Sequence, residues 1–233
     1  MRPCSDNEVE DLFNELSPMY DFFNDIFSFG LHRLWKRQLL LLLRPALGEH
    51  WIDLCCGTGD LTLSIARLIG PEGKVCGIDS AEKTLLIAKK KADKEPDLSI
   101  TWINEDILNT TLSPKLFDGA VMAYGLRNIV DPLAGLKLIK RLLKPGARAG
   151  VLDFACHPRG TINEWFQKIY LNRIVIPVSS TFSLGEHYEY LQKSLKVFPD
   201  GNAQKELAIQ AGFSDATYHY LAAGQMGILL LKC

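Results

Sequence analysis

The strongest constraint on the fold is an alternation, after residue 50, of short β-rich runs with amphipathic helical stretches. The pattern predicts strands at 51–54, 74–78, 98–103, 117–123, 148–154, 213–221 and 227–231. It predicts helices between them at 58–68, 81–93, 132–143 and 203–211. Successive β-α-β units of this kind build a parallel sheet with helices on both faces. The sequence therefore predicts an α/β fold around a seven-stranded, mostly parallel sheet.

Two segments fall outside this alternation. Residues 1–50 are expected to form N-terminal helices, and the window 31–43 places Arg33, Lys36, Arg37 and Arg44 on one arc. Residues 157–200 are rich in aromatic residues and prolines, which indicates a cap inserted into the sheet rather than a core unit. We expect one domain, 1–233, that contains both segments.

Charge and cysteine content exclude several protein classes. Lysine and arginine number 26 against 27 acidic residues, which argues against a dedicated nucleic-acid binder. The six cysteines include no CxxC pair, so neither a zinc site, any other metal site nor a disulfide scaffold is expected. No apolar run reaches the roughly 18 residues of a membrane span, and no secretory signal is recognisable. These features favour a cytoplasmic location.

Acidic residues follow three of the first four predicted strands. Ligands of open α/β sheets bind beyond the carboxyl ends of the strands, where Asp53, Asp79 and Asp106 are expected to meet. A dinucleotide fingerprint needs a third glycine at position 62, which is Thr, and Asp60 disfavours a phosphate at the following helix. Carboxylates suit a ligand with a ribose diol, an exocyclic amine and a positive charge. The predicted ligand is S-adenosylmethionine.

Roles for the individual residues follow from this ligand. Gly57 and Gly59 would let the backbone approach the cofactor, and Asp79 would accept from both ribose hydroxyls. Asp106 would accept from the adenine amine, beside the amide of Ile107. The predicted cofactor-binding residues all follow strands at one edge of the sheet: Asp53, Cys56, Gly57, Thr58, Gly59, Asp79, Ser80, Asp106, Ile107, Ala123 and Tyr124.

Long motifs then carry a family resemblance over essentially the whole chain. They are YDFFNDIFSFGLHRLWKR (20–37), DLCCGTGDLT (53–62), YGLRNIVD (124–131), RLLKPG (141–146) and HYEYLQKSLKVFP (187–199). The chain resembles the C-methyltransferases of ubiquinone and menaquinone biosynthesis, which are class I, Rossmann-like methyltransferases. Cys55 departs from the pattern, which usually has glycine there, and we expect a slightly displaced turn without loss of binding.

The resemblance implies a function. The ending AAGQMGILLLKC (222–233) is most similar to the cyanobacterial and plastid branch, whose members methylate 2-phytyl-1,4-naphthoquinol in the last step of phylloquinone biosynthesis. A demethylmenaquinol or ubiquinone-pathway acceptor with a polyprenyl tail remains an alternative. So do a soluble-substrate O- or N-methyltransferase and, from another class, a non-catalytic quinone or nucleotide carrier.

An acceptor of this kind suggests catalytic residues. A ring carbon of the quinol becomes nucleophilic when a phenolic proton leaves, and Arg127 is predicted to stabilise the phenolate. Asn128 would orient a water, and Asp153 or His187 would relay the proton; the alternative is that Arg127 only pairs with a carboxylate such as Asp131. Predicted substrate-binding residues are Arg33, Arg127, Tyr188 and Tyr190.

The lipophilic tail also implies contact with a bilayer. The helix 31–43 is predicted either to lie peripherally on anionic lipid or to pack under the cap. The oligomeric state is left open by the sequence.

Overall fold

A computed structural model describes residues 30–157, 161 and 193–233. The helices in these ranges are α1 (Leu31–Leu43), α2 (Asp60–Ile69), α3 (Glu82–Ala92), α4 (Pro132–Leu142) and α5 (Gly201–Gln210). The strands are β1 (His50–Leu54), β2 (Lys74–Asp79), β3 (Ile100–Asn104), β4 (Phe117–Ala123), β5 (Leu143–Phe154), β6 (Asp215–Leu221) and β7 (Met226–Lys232). Short 3-10 turns lie at Ile107–Asn109, Leu126–Asn128 and Ala222–Gly224.

The strands form one sheet of order β3-β2-β1-β4-β5-β7-β6. Strands β1 to β5 pair in parallel, whereas β7 lies antiparallel between β5 and β6. This confirms the predicted α/β fold with a mostly parallel, seven-stranded sheet. Leu54 pairs with Ile78 on one side and with Met122 on the other, so β1, β2 and β4 end together. The loops that follow them therefore share one edge.

Each face of the sheet is covered by its own helices. Helices α1 and α2 bury residues such as Trp51 and Leu152 on one face. The other face, with Ile52 and Met122, is covered by α4 and α5. Alternation along β1 sends Trp51 to one face and Ile52 to the other, as expected for a strand buried on both sides.

Helix α1 packs against the middle of the sheet. Its inner face buries Trp35, Leu39 and Leu43, and a Cβ at Gly150 of β5 would stand 2.5 Å from Leu39 Cδ1. The glycine therefore lets the helix approach the strand closely. Each fully buried leucine contributes about 1.5–3 kcal/mol of transfer free energy.

Element boundaries agree with the predicted ones to within about two residues except at β5. That strand begins at Leu143 instead of Arg148, because Leu143 pairs with Phe117 before the register shifts and Arg148 pairs with Gly119. The sequence Lys144-Pro145-Gly146 ends α4 as expected, and it forms the irregular part of this pairing. Gly146 has φ +78°, a conformation that favours glycine.

Within the described ranges, no helix combines the length and apolar character that a membrane span requires. The N-terminal segment before residue 30 and most of the 157–200 insertion lie outside the described residues.

Candidate active site

The loop after β1 turns sharply through three left-handed residues. Cys55, Gly57 and Gly59 have φ angles of +56°, +53° and +79°. The amide of Gly59 donates to the carbonyl of Cys56 at 3.0 Å, and the Gly59 carbonyl accepts the amide of Leu63 at 2.9 Å, so the turn leads directly into α2. Gly59 is required for packing as well, because a Cβ there would stand 2.7 Å from the Trp102 ring and 2.9 Å from Ala88 Cβ.

Asp79, the last residue of β2, holds this loop in place. Its Oδ2 accepts the amide of Gly57 at 2.8 Å, and its Oδ1 accepts the amide of Ala81 at 2.9 Å. The amide of Cys56 donates to the carbonyl of Ile78 at 3.1 Å, so two bonds join the loop to the end of β2. A carboxylate oxygen accepts more than one hydrogen bond, so Asp79 retains capacity for a ligand diol.

Asp53 lies in the interior beneath the same loop. It is fully buried, and its Oδ2 accepts the hydroxyl of Thr62 at 2.6 Å. The pKa of Asp53 is raised to about 7, mainly by burial and also by Asp79, while the Thr62 bond and the charge of Lys36 lower it in part. Asp53 is therefore expected to change its ionisation state near neutral pH, and a cation placed nearby would favour its charged form.

Asp106 and its neighbours complete the edge on the β3 side. Asp106 caps the turn Ile107–Asn109 by accepting from the Leu108 amide at 3.0 Å and from Asn109 Nδ2 at 2.8 Å. Ile107 is buried behind it. Asn104 Nδ2 bonds to the carbonyls of Asp79 and Ser80 at 3.0 and 2.7 Å, and this link between β3 and β2 was not predicted from the sequence.

These acids create a negative potential centred on the turn. Burial raises the pKa of the Cys55 thiol well above its usual value, and nearby carboxylates raise it further: Asp79, Asp53, Asp106 and Asp153. Carboxyl groups gathered around one turn favour a cationic ligand over a phosphate. The turn thus suits the positively charged sulfonium nucleoside predicted from the sequence.

A second cluster lies beside this turn, in the loop after β4. Ala123 ends that strand, and Tyr124 follows with φ +62°, while its amide donates to Leu152 of β5 at 2.7 Å. The Tyr124 carbonyl accepts from Arg127 Nη1 at 2.7 Å and from Asn128 Nδ2 at 3.3 Å. The loop therefore brings the predicted residues Tyr124, Arg127 and Asn128 together.

Asp153 of β5 fixes Arg127 from the other side. Arg127 Nη1 lies 2.9 Å from Asp153 Oδ1, in an ion pair whose side chains are 11% and 3% exposed. The backbone amides of Arg127 and Phe154 also donate to Asp153, at 3.1 and 2.8 Å. Asp153 therefore positions Arg127, and its role as a proton relay stays a prediction.

Arg127 pairs with a buried carboxylate, as its structural interpretation predicted, but that carboxylate is Asp153 and not Asp131. Asp131 caps α4 by accepting the amide of Leu133 at 2.9 Å, whereas Arg127 pairs with Asp153. The guanidinium also stands 5.4 Å from the centre of the Phe154 ring. Arg127 is thus held rigidly at the strand edge, which is what a residue that must stabilise a developing phenolate requires.

The other residues predicted for the site lie in three different places. Cys56 and Thr58 are buried within the turn after β1. Arg33 lies on the exposed side of α1 and lines a groove with Lys36, away from the Arg127 cluster. His187, Tyr188 and Tyr190 lie outside the described residues.

Two lysines support the donor turn, a role that the sequence did not predict for them. Asp60, directly after Gly59, pairs with Lys36 of α1 at 3.3 Å and with Lys91 of α3 at 2.7 Å. Burial opposes ionisation, yet Lys36 and Lys91 together hold the pKa of Asp60 below its ordinary value. The neighbouring Lys89 and Lys90 are exposed, whereas Lys91 is half-buried against Asp60.

Solved structures with the same fold include methyltransferases of several kinds. A possible histamine N-methyltransferase from Thermotoga maritima superposes with a TM-score of 0.64 at 16% identity, over 95% of this chain and 98% of that one. A phosphoethanolamine N-methyltransferase from Haemonchus contortus, in complex with S-adenosyl-L-methionine, gives 0.66 at 16% identity, over 85% of this chain and 52% of that one. These similarities establish the fold, which is that of class I methyltransferases.

Sequence relatives are much closer. A 2-phytyl-1,4-naphtoquinone methyltransferase from Nostoc punctiforme is 42% identical over 97% of this chain and 98% of its own length. The enzyme of the same name from Synechococcus elongatus is 40% identical over the whole of both chains. A chloroplastic 2-phytyl-1,4-beta-naphthoquinone methyltransferase from Arabidopsis thaliana is 36% identical over 97% of this chain and 87% of its own.

The family assignment rests on nearly the whole chain. The model of the ubiE/COQ5 methyltransferase family matches residues 1–230, which include both clusters described above. The expected resemblance is thereby confirmed, and the chain belongs to the ubiE/COQ5 methyltransferase family.

Proposed function

We propose that this methyltransferase transfers a methyl group from S-adenosylmethionine to the ring carbon of 2-phytyl-1,4-naphthoquinol, in the last step of phylloquinone biosynthesis. The observation that carries the proposal is the packing of Gly125 against Cys55, which joins a turn lined by carboxylates to the loop that holds a fixed guanidinium. The names of relatives at 36–42% identity supply the acceptor.

The described residues fit the cofactor. Asp79 would hold the ribose diol through the capacity left on its two oxygens, and Asp106 would face the adenine beside Ile107. Asp53 would stabilise the cationic methionine end, since a buried carboxyl with a pKa of about 7 gains from a nearby positive charge. When bound, S-adenosylmethionine supplies a methyl group made electrophilic by its sulfonium centre.

The loop after β4 prepares the acceptor. Loss of a phenolic proton places negative charge on the quinol oxygen and on the ortho carbon. This carbon would bond to the methyl group while S-adenosylhomocysteine leaves, and the ring hydrogen would then depart as a proton to restore the aromatic quinol. Arg127 would stabilise the oxygen, while Asp153 and the Tyr124 carbonyl keep its guanidinium from moving. Arginine is a poor base, so the proton leaves through water, which Asn128 is placed to orient.

The two clusters are held at a fixed separation by direct packing. A Cβ at Gly125 would stand 2.8 Å from Cys55 Sγ and 2.9 Å from Cys55 Cβ. The donor turn and the acceptor loop therefore touch through this pair. Such rigid placement favours methyl transfer, which needs the reacting carbons about 3–3.5 Å apart and in line.

The tail of the acceptor also bears on where in the cell the enzyme works. A phytyl chain partitions into lipid, so the enzyme works from the cytoplasmic side as a peripheral protein that meets its substrate at a bilayer.

The test supplies labelled S-adenosylmethionine with 2-phytyl-1,4-naphthoquinol and identifies the product by mass. Label should appear on the ring only when the quinone has been reduced, because the oxidised ring has no phenolic proton to lose. Polyprenyl naphthoquinols and benzoquinols, tested in parallel, define the tail and ring that are accepted. Equal transfer to oxidised and reduced acceptors, or transfer to oxygen, would overturn the proposed chemistry.

A further inference from the structure

A groove of about 1200 Å³ runs between α1, α2 and the residues around the end of α3, on the outer surface of the molecule. We name it the basic groove. Its described lining contains seven cationic side chains: Arg33, Lys36, Arg37, Arg44, Arg67, Lys91 and Lys94. The arc of basic residues predicted for α1 is therefore confirmed, and other elements extend it.

Among the described residues, the carboxylates that line the basic groove are too few to balance its positive charge. Its lining has two carboxylates, and both are already paired: Asp60 with two lysines and Glu95 with Arg67. Arg37, Arg44 and Lys94 form no ion pair within the described part of the chain. Since the whole chain has a net charge of −1, this excess is a local segregation of charge.

Exposed leucines lie directly beside these cations. Helix α1 leaves Leu31, Leu34, Leu41 and Leu42 between 43% and 63% exposed, although its other face is buried in the core. Leu34 and Leu41 are seven residues apart, so they lie on one line of the helix, next to the line that Arg33 and Arg37 occupy. We name these four leucines the leucine ridge. A row of cations bordering a row of exposed leucines is typical of helices that lie in a membrane interface.

We propose that the basic groove and the leucine ridge dock this enzyme on the surface of an anionic lipid bilayer. The cations contact lipid phosphates, and the leucines enter the boundary between headgroups and acyl chains. An acidic protein or a nucleic acid would use the cations but not the ridge. The proposal deepens the proposed function and rests on it for the need to reach a lipid-borne acceptor.

Docking on this surface brings the donor turn close to the membrane. Asp60 lines the basic groove and follows Gly59 of the turn directly. Lys36, from the same helix as the ridge, pairs with Asp60. A bilayer on α1 therefore lies beside the reaction site and not across the molecule from it.

Vesicle flotation tests the surface with matched variants. The wild-type protein should float with vesicles of phosphatidylcholine and phosphatidylglycerol at low salt, and should remain unbound at high salt or with phosphatidylcholine alone. Arg37→Gln with Lys94→Gln should weaken binding about 30-fold, at about fivefold for each cation near the lipid. The control is Lys137→Gln with Lys205→Gln, on the helices of the opposite face, and should bind as wild type.

A second pair of variants tests the ridge. Leu41 and Ile209 are similarly exposed, at 63% and 53%, but lie on opposite faces of the sheet. Leu41→Asp should weaken vesicle binding at least about tenfold, and Ile209→Asp should leave it unchanged. Circular dichroism confirms that each variant is folded.

Three outcomes would overturn the proposed docking surface: equal binding of the groove variants and the wild type, equal losses in the control variants, or tighter binding to soluble nucleic acid than to vesicles.

Methyl transfer to a tail-free, water-soluble naphthoquinol separates a failure of the docking surface from a failure of the proposed function. Groove variants should keep that activity and lose activity only on phytyl quinol in anionic vesicles. Absence of transfer to either acceptor in the wild type would instead count against the proposed function.

Discussion

The ion pair between Arg127 and Asp153 allows a structural brace to be distinguished from a residue that stabilises the quinolate. Arg127→Met leaves the buried Asp153 carboxylate without its guanidinium. Breaking a buried pair costs about 3–5 kcal/mol, and we expect the lower value because two backbone amides still donate to Asp153. Adding Asp153→Asn removes the stranded charge, so the double variant should regain about 2 kcal/mol of unfolding free energy.

Turnover should follow a different pattern from stability. Arg127→Met should lower kcat about 100- to 1000-fold, as expected when a donor to a developing oxyanion is lost. Asp153→Asn keeps the guanidinium and its bond to the Tyr124 carbonyl, so a loss of about tenfold is expected from looser positioning. The double variant should be as slow as Arg127→Met despite its recovered stability.

The assay combines urea unfolding, labelled methyl transfer to the reduced quinol, and calorimetry of S-adenosylmethionine binding for all four proteins. The affinity for S-adenosylmethionine should change less than about threefold throughout, because Arg127 belongs to the acceptor loop. Recovery of kcat in the double variant, in parallel with its stability, would refute the reasoning and reduce Arg127 to a brace. So would a loss of cofactor affinity as large as the loss of kcat.

Three further predictions concern the donor turn. The folded-state pKa of Asp53, about 7, exceeds its unfolded value, so the stabilisation that the protonated carboxyl contributes is complete below about pH 4 and is lost as pH rises through 7. Asp53→Asn should remove this pH dependence and raise the free energy of unfolding above pH 7 by up to roughly 4 kcal/mol. Urea titration at several pH values measures both effects. Gly125→Ala should cost about 1–3 kcal/mol by collision with Cys55, and Cys55→Gly should restore at least half of it, but should not rescue Gly135→Ala, whose Cβ meets Ile129 instead. Asp79→Asn should weaken S-adenosylmethionine binding about 10- to 100-fold by calorimetry, and more than Asp106→Asn, because Asp79 is assigned two ribose hydroxyls and Asp106 one adenine amine; equal losses would contradict the assigned roles.

The fold was predictable because its signals are local. The β-rich runs, the glycine turn after β1 and the proline at the start of α4 each depend on neighbouring residues, and they fixed the elements to within a few positions. The start of β5 was not predictable in this way. Its first pairing, between Leu143 and Phe117, spans a register shift that only the assembled sheet reveals.

The location of the candidate site was predictable from the sequence, but the hydrogen bonds and ion pairs of its residues were less so. Strand ends identified Asp53, Asp79 and Asp106, because the carboxyl edge of a parallel sheet gathers them. The partner of Arg127 lies 26 residues away on β5, a pairing that only the assembled sheet brings about. Likewise, the charges of Lys36 and Lys91 meet at Asp60 only after three helices have packed.

Cys55 shows how a departure from the family pattern is accommodated. The position needs a left-handed backbone, and Cys55 adopts it at φ +56°, which costs a non-glycine residue about 1–3 kcal/mol. Gly125 leaves room for the Cys55 side chain, because a Cβ at position 125 would collide with the sulphur. Because Gly125 directly precedes the turn that carries Arg127, the sulphur occupies the junction between the donor turn and the acceptor loop. We therefore expect Cys55 to influence the spacing of the donor turn and the acceptor loop, while the Gly57 amide keeps its bond to Asp79 at 2.8 Å.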